Sequence, residues 1–234
     1  MGETVQIAVG DDYFDAYLAR PDNEKTGGTP KGGIVVIQEI FGVNGDIKAT
    51  ADWLAGKGYL ALAPDLFWRQ ERNVALTDGS EDEWQKAFAL MSGYDGDEGV
   101  GDIQAAIDCL RANGCAKVGT IGFCLGGRMV YLAACRTNGD AHASYYGVGI
   151  QDLLAEAQNI SAPTLIHIAG KDEFVPRQAQ IAIADGLASH DLAEVHIYDG
   201  QDHAFARHNG MHYDADATAL AHGRTLDMFA RALA

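Results

Sequence analysis

The sequence predicts an α/β protein in which helices cover both faces of a mostly parallel central sheet. The main observation is that short, continuously apolar runs alternate along the chain with segments of helical periodicity. In addition, 47% of the 234 residues are hydrophobic, enough for a core that covers both faces of a sheet. We expect one domain over residues 1–234, because no repeat, low-complexity tract or long linker divides the chain.

The predicted elements follow one another in a regular order. An opening β segment over 4–9 and 13–19 precedes a loop-like stretch over 20–33. Apolar runs then predict strands over 32–40, 59–66, 116–124, 140–149, 162–170 and 193–200. Helical spacing predicts helices over 44–58, 82–93, 99–114, 125–135, 176–190 and 214–233. Because reactive residues of such sheets gather where strands end, we expect the site at the loops that follow these strands.

The charge of the chain argues against two classes of partner. Lys and Arg number 17, whereas Asp and Glu number 33, which gives a net charge of −16. Such a protein repels nucleic acid and anionic membrane surfaces, so we expect neither as a partner. The amino terminus has no basic and apolar signal segment, and the apolar runs are too short to cross a membrane. We therefore expect a cytoplasmic protein, either a monomer or a small homo-oligomer.

The segment GTIGFCLGGRM, residues 119–129, has the features of a turn that carries a nucleophile. Gly122 and Gly126 lie two residues before and after Cys124, where a predicted strand meets a predicted helix. A sharp strand-to-helix turn crowds both positions, so both favour glycine. The helix amino terminus favours an anionic thiolate, and the N–H of Leu125 is placed to donate to an oxyanion. The alternative interpretation is that Cys124 is a small, buried structural residue.

A thiol nucleophile needs a base and an acid that orients the base, and two strand ends offer them. Asp172 follows the predicted strand over 162–170, and His203 follows the one over 193–200. The order Cys124, Asp172, His203 is the nucleophile–acid–base order of the α/β-hydrolase fold. Taken singly, Asp172 is also compatible with a helix cap and His203 with an ordinary loop histidine.

Glu39 is a further candidate, because it ends the first apolar run, where a buried carboxylate is costly without a partner. It either meets the thiol or shapes the oxyanion hole, for which the N–H of Ile40 is a second candidate donor. A salt-bridged structural acid is the alternative. No metal is expected, since the spacing of His203, His208 and His212 matches no known ligand pattern.

Several segments together resemble the dienelactone hydrolase (carboxymethylenebutenolidase) family. They are VVIQEIFGVN (35–44), GYLALAPDLFWRQ (58–70), GVGDIQAAI (99–107), KVGTIGFCLGGRM (117–129), YYGVG (145–149), APTLIHIAGKDEFVP (162–176) and DHAFAR (202–207). The resemblance implies an α/β-hydrolase fold and no cofactor. It also implies hydrolysis of a small lactone or ester, for example the conversion of dienelactone to maleylacetate.

The resemblance also assigns roles to individual residues. It implies that Cys124 is the nucleophile, Asp172 the acid and His203 the base, with Ile40 and Leu125 as the oxyanion donors. Glu39 corresponds to a glutamate that pairs with the resting thiol in the family and shifts when substrate binds.

The chain departs from the family where the substrate is held. Arg207, which corresponds to an arginine that binds a carboxylate, is retained, and so is Tyr145. Trp84 and Phe88 stand at the positions of a family arginine and tyrosine, which favours a more apolar ester or lactone. Their i,i+4 spacing is equally compatible with core packing. A hydrolase-like protein with a non-catalytic or redox-sensing Cys124 is the alternative function.

Overall fold

The computed structural model describes residues 2–22 and 27–234, so part of the predicted loop over 20–33 lies outside the described residues. Eight strands form one sheet. They are β1 (Glu3–Val9), β2 (Asp12–Ala19), β3 (Gly33–Ile37), β4 (Leu60–Pro64), β5 (Val118–Phe123), β6 (Ala141–Tyr145), β7 (Thr164–Ala169) and β8 (Ala193–Tyr198). Their order across the sheet is β1-β2-β4-β3-β5-β6-β7-β8.

Only the edge of the sheet that holds β1 is antiparallel. β1 pairs antiparallel with β2, and β2 pairs antiparallel with β4. Every other neighbouring pair, from β4–β3 to β7–β8, is parallel. The predicted, mostly parallel sheet is therefore confirmed, and the carboxyl ends of β3, β5, β6, β7 and β8 lie along one edge.

Helices between the strands match the predicted ones to within a few residues. They are α1 (Gly45–Gly56), α2 (Glu81–Ser92), α3 (Gly96–Ala112), α4 (Leu125–Arg136), α5 (Arg177–Leu187) and α6 (Ala215–Ala232). Side-chain caps mark where four of them begin, α1, α2, α3 and α6. The Asn44 side chain accepts hydrogen bonds from the N–H groups of Asp46 and Ile47, and the Ser80 side chain accepts one from Glu83.

The apolar core lies on both faces of the sheet, as strand β3 illustrates. Its fully buried side chains alternate: Ile34 and Val36 belong to one apolar cluster, and Val35 and Ile37 belong to the other. This explains why the run reads as continuously apolar rather than as an alternation with polar residues. Among the described residues, no helix is both long enough and apolar enough to span a membrane.

Two predicted strands end at least three residues earlier than expected. β3 ends at Ile37 rather than residue 40, and β6 ends at Tyr145 rather than residue 149. After β6 the backbone leaves the extended region, because Tyr146 has φ of 38° and Gly149 has φ of 78°. A 3₁₀ helix that the sequence analysis did not predict follows at Ile150–Asn159. Both shortened strands leave their last residues free to enter the site.

Candidate active site

Cys124 lies at the turn between β5 and α4, as predicted. Its φ of 56° is unusual for a residue with a side chain, and this backbone strain is stored at the proposed nucleophile. A Cβ at Gly122 would overlap the carbonyl of Gly126, and one at Gly126 would lie 2.5 Å from the carbonyl oxygen of Ile37. The requirement for glycine on both sides of Cys124 is therefore confirmed.

Asp172 and His203, which are 31 positions apart in the sequence, form the predicted pair. The His203 Nδ1 lies 2.7 Å from Asp172 Oδ2. The other carboxylate oxygen of Asp172 accepts hydrogen bonds from the backbone N–H groups of Phe174 at 2.8 Å and Val175 at 3.2 Å. Asp172 is only 3% exposed, so these bonds hold its carboxylate in one orientation. The arrangement leaves the Nε2 of His203 to the Cys124 thiol.

The electrostatics of His203 favour its charged form. Burial alone would lower the pKa of the imidazole, but the Cys124 thiol and the Asp172 carboxylate outweigh burial and raise this pKa to about 10. The imidazole is therefore protonated at neutral pH, and it lies between the Cys124 thiol and the Asp172 carboxylate. A protonated imidazole beside a thiol is one half of the thiolate–imidazolium pair that thiol catalysis uses.

Glu39 forms an ion pair with Arg207 in this structure. The Arg207 Nε donates to Glu39 Oε2 at 2.7 Å, while Glu39 Oε1 has no hydrogen-bond partner among the described residues. The structure therefore lacks the contact between Glu39 and the thiol that the resemblance implies. It shows instead the alternative interpretation, in which Glu39 is held in a salt bridge. Arg207 also donates from a terminal nitrogen to Asp78 Oδ2 at 2.7 Å, and its guanidinium lies over the Phe41 ring.

A cavity of about 190 Å³ opens next to Cys124. His203 and Arg207 line it together with a mostly apolar wall to which Trp84 and Phe88 contribute. The two rings pack against each other with centroids 5.5 Å apart, and Phe88 is 45% exposed. The predicted pair therefore borders the cavity, although Trp84 also packs edge-to-face on Phe41.

The two candidate oxyanion donors flank the thiol in the fold. Ile40 lines the same cavity as Cys124. Leu125 is the first residue of α4, where a backbone N–H has no acceptor inside the helix. Both therefore remain candidates for the oxyanion hole. Among the described residues, no cluster of three or more His, Cys, Asp or Glu side chains is arranged to hold a metal ion.

Tyr145 lies away from the cavity, contrary to the expectation that it contacts substrate. It is fully buried, and its hydroxyl lies 2.7 Å from the Thr225 hydroxyl. Because Tyr145 is still part of β6, its ring packs into the core, where it contacts His167. The next residue, Tyr146, packs edge-to-face on His203 instead, with ring centroids 5.0 Å apart.

The sequence matches the model of the family described as "Dienelactone hydrolase family" over residues 14–233. The chain belongs to the dienelactone hydrolase family. Over 232 residues it is 43% identical to a candidate carboxymethylenebutenolidase of Azospirillum brasilense, with 96% of each chain covered. Over 201 residues it is 40% identical to the carboxymethylenebutenolidase of Pseudomonas putida, with 84% of each chain covered.

Solved structures of the dienelactone hydrolase family share this fold. A candidate dienelactone hydrolase of Klebsiella pneumoniae subsp. pneumoniae superposes with a TM-score of 0.86 at 27% identity, covering 99% of this chain and 98% of the other. The fold is therefore the α/β-hydrolase fold that the sequence analysis expected.

Two residues of this dienelactone hydrolase family site escaped the sequence analysis. Tyr146 follows the end of β6, so the rule that reactive residues lie just after strands favours it over Tyr145. Asp78 gave no such signal, because its partner Arg207 is 129 positions away in the sequence. Only the tertiary structure brings Asp78 and Arg207 together.

Proposed function

We propose that this protein hydrolyses ester or lactone bonds of small molecules through a thioester on Cys124. The observation that carries the proposal is the His203–Asp172 pair at the Cys124 thiol, in a cavity of about 190 Å³. The carboxymethylenebutenolidase relatives give the same reaction class.

The first half of the proposed reaction forms the thioester. The Cys124 thiolate attacks the carbonyl carbon, and the negative charge that develops on the carbonyl oxygen is held by the N–H groups of Ile40 and Leu125. As the tetrahedral intermediate collapses, the bond to the leaving oxygen breaks, and His203 gives its proton to that oxygen. In a lactone, the released alcohol remains attached to the acyl chain.

The second half of the proposed reaction uses water. His203, now neutral, accepts a proton from a water molecule that attacks the thioester carbonyl. The carbon–sulfur bond breaks, which releases the carboxylic acid and restores the Cys124 thiolate beside protonated His203. Asp172 keeps Nδ1 of His203 engaged throughout, so the same nitrogen, Nε2, faces the reaction in both halves.

Glu39 has a positioning role in this proposal. With one carboxylate oxygen held by Arg207, Glu39 forms no hydrogen bond with the thiol, which leaves the thiol to His203. A movement of the Glu39 carboxylate between the thiol and Arg207 would be the change on substrate binding that the family resemblance implies.

The test is to measure ester turnover and acylation in Cys124→Ala. We expect kcat for 4-nitrophenyl pentanoate to fall by about 10³-fold or more, because the nucleophile is removed. Cys109→Ala is the matched control, since Cys109 is a free cysteine outside the cavity lining, and it should keep wild-type turnover. Mass spectrometry of acid-quenched wild-type protein should show one acyl group on Cys124.

Two outcomes would contradict the proposal. Full turnover by Cys124→Ala would exclude the thiol as nucleophile. Selective oxidation of Cys124 by peroxide, in a wild-type protein that turns over no ester, would favour the redox-sensing alternative.

A further inference from the structure

Besides His203, which is engaged by Asp172 and the thiol, Arg207 is the basic side chain that borders the cavity beside Cys124. Among the described residues that line this cavity, no other is a Lys or Arg. Its Nε and one of its terminal nitrogens each donate to a carboxylate, Glu39 Oε2 and Asp78 Oδ2, both at 2.7 Å. One cation is thus paired with two carboxylates, so the group carries a net negative charge and offers a substrate anion no unpaired positive charge.

The two carboxylates differ in how far they are exposed. The Glu39 side chain is 3% exposed and the Asp78 side chain 28%, while Arg207 itself is 8% exposed. Glu39 needs a cation beside it because its charge is almost fully buried. Asp78 reaches solvent and has no such need. It therefore adds a second negative charge, and occupies a second nitrogen, at a guanidinium that Glu39 already neutralises.

Asp78 is held in place by its own segment as well as by Arg207. The indole Nε1 of Trp84 donates to the backbone carbonyl of Asp78 at 3.2 Å. On either side of Asp78, Thr77 and Ser80 donate hydrogen bonds to the Glu83 carboxylate, and the Ser80 hydroxyl caps α2 by accepting from the N–H of Glu83. The segment thus presents the Asp78 carboxylate to Arg207 at little further cost in conformational entropy.

We propose that Asp78 determines the charge specificity of this site. By adding a second negative charge beside Arg207, it makes the cavity selective for uncharged esters and lactones, and it disfavours substrates that carry a carboxylate on the acyl chain. The apolar wall supplied by Trp84 and Phe88 fits the same substrate class. This inference rests on the proposed function, because it concerns the substrate of the Cys124 reaction.

The test compares two esters that differ in one charge. Mono-4-nitrophenyl glutarate carries a carboxylate at the end of its acyl chain, and 4-nitrophenyl pentanoate carries a methyl group at that end. The kcat/KM of each is measured with the uncatalysed rate subtracted. We expect the wild-type protein to favour the pentanoate, and Asp78→Asn to raise the glutarate-to-pentanoate ratio about 10-fold. The amide oxygen of Asn can still accept the Arg207 hydrogen bond, which favours a folded variant.

Two further variants separate this effect from a general change in charge. Asp82→Asn changes the net charge equally, and Asp82 is an exposed residue in the first turn of α2, the helix that follows Asp78. Because Asp82 is outside the cavity lining, the ratio should stay at the wild-type value. Asp78→Glu keeps the negative charge and should also keep the preference for pentanoate. If the Asn variant does not fold, Asp78→Ser removes the same charge and takes its place.

The proposal would be overturned if the charge-removing variant left the ratio unchanged, or if Asp82→Asn raised it as much. A wild-type protein that already favours the glutarate ester would overturn it too. Failure of the proposed function has a different signature, because wild-type protein would then show no Cys124-dependent turnover of 4-nitrophenyl pentanoate.

Discussion

Two charge clusters border the Cys124 cavity, and they are built in opposite ways. In the first, Asp172 engages only one nitrogen of His203, so the charged imidazole has a second nitrogen for the thiol. In the second, Glu39 and Asp78 bind two nitrogens of Arg207, so two negative charges of the protein face its one positive charge. A charged residue in a cavity therefore acts on a substrate only through the charge and the hydrogen-bonding nitrogens that its protein partners do not already occupy.

The largest expected effect comes from breaking the first cluster at its centre. His203→Gln removes the proton carrier of both halves of the proposed reaction, so kcat for 4-nitrophenyl pentanoate should fall about 10³-fold. His212→Gln is the matched control, because His212 is a half-exposed histidine in the same region and does not line the cavity beside Cys124. Comparable losses in both variants would contradict the assignment of His203.

Removing Arg207 from the second cluster should lower the stability of the fold more than it lowers catalytic turnover. Arg207→Met leaves the buried carboxylate of Glu39 unpaired, so the free energy of unfolding should fall by about 3 kcal/mol in urea denaturation. Arg20→Met, which breaks the exposed pair with Glu3, should cost less than about 1 kcal/mol.

A double variant isolates the pair between Arg207 and Glu39. Arg207→Met combined with Glu39→Gln should recover part of the lost stability, since no buried charge is then left without a partner. Strictly additive losses would show that the two charges do not interact.

The smallest expected effect is a shift in pH dependence. The pKa of His203 is raised to about 10, so protonated His203 should persist up to that pH, and kcat/KM should fall as the pH rises through it. Because the Asp172 carboxylate is one cause of the raised pKa, Asp172→Asn should move this alkaline limb to lower pH, by about one unit. The measurement is kcat/KM for 4-nitrophenyl pentanoate between pH 6 and 11. An alkaline limb at the same pH in both proteins would contradict the role of Asp172.

The element order was predictable because its causes are local. Apolar runs that are buried on both faces, such as β3, and side-chain caps, such as Asn44 before α1, are visible in short stretches of sequence. Strand ends were less predictable, since the last apolar residues after β3 and β6 are buried without being in the sheet. Ile40 and Tyr146 are examples, and both lie at the cavity or against His203.

From the sequence alone we predicted the turn at Cys124 and the positions of Asp172 and His203 just after strands. The glycines beside Cys124 are required by the crowded backbone of that turn, and the strand pattern indicates where polar residues gather. The tertiary structure alone decided the partners of Arg207 and the choice between Tyr145 and Tyr146. Those depend on which distant segments pack together, and the 129 positions between Asp78 and Arg207 carry no local pattern that records their contact.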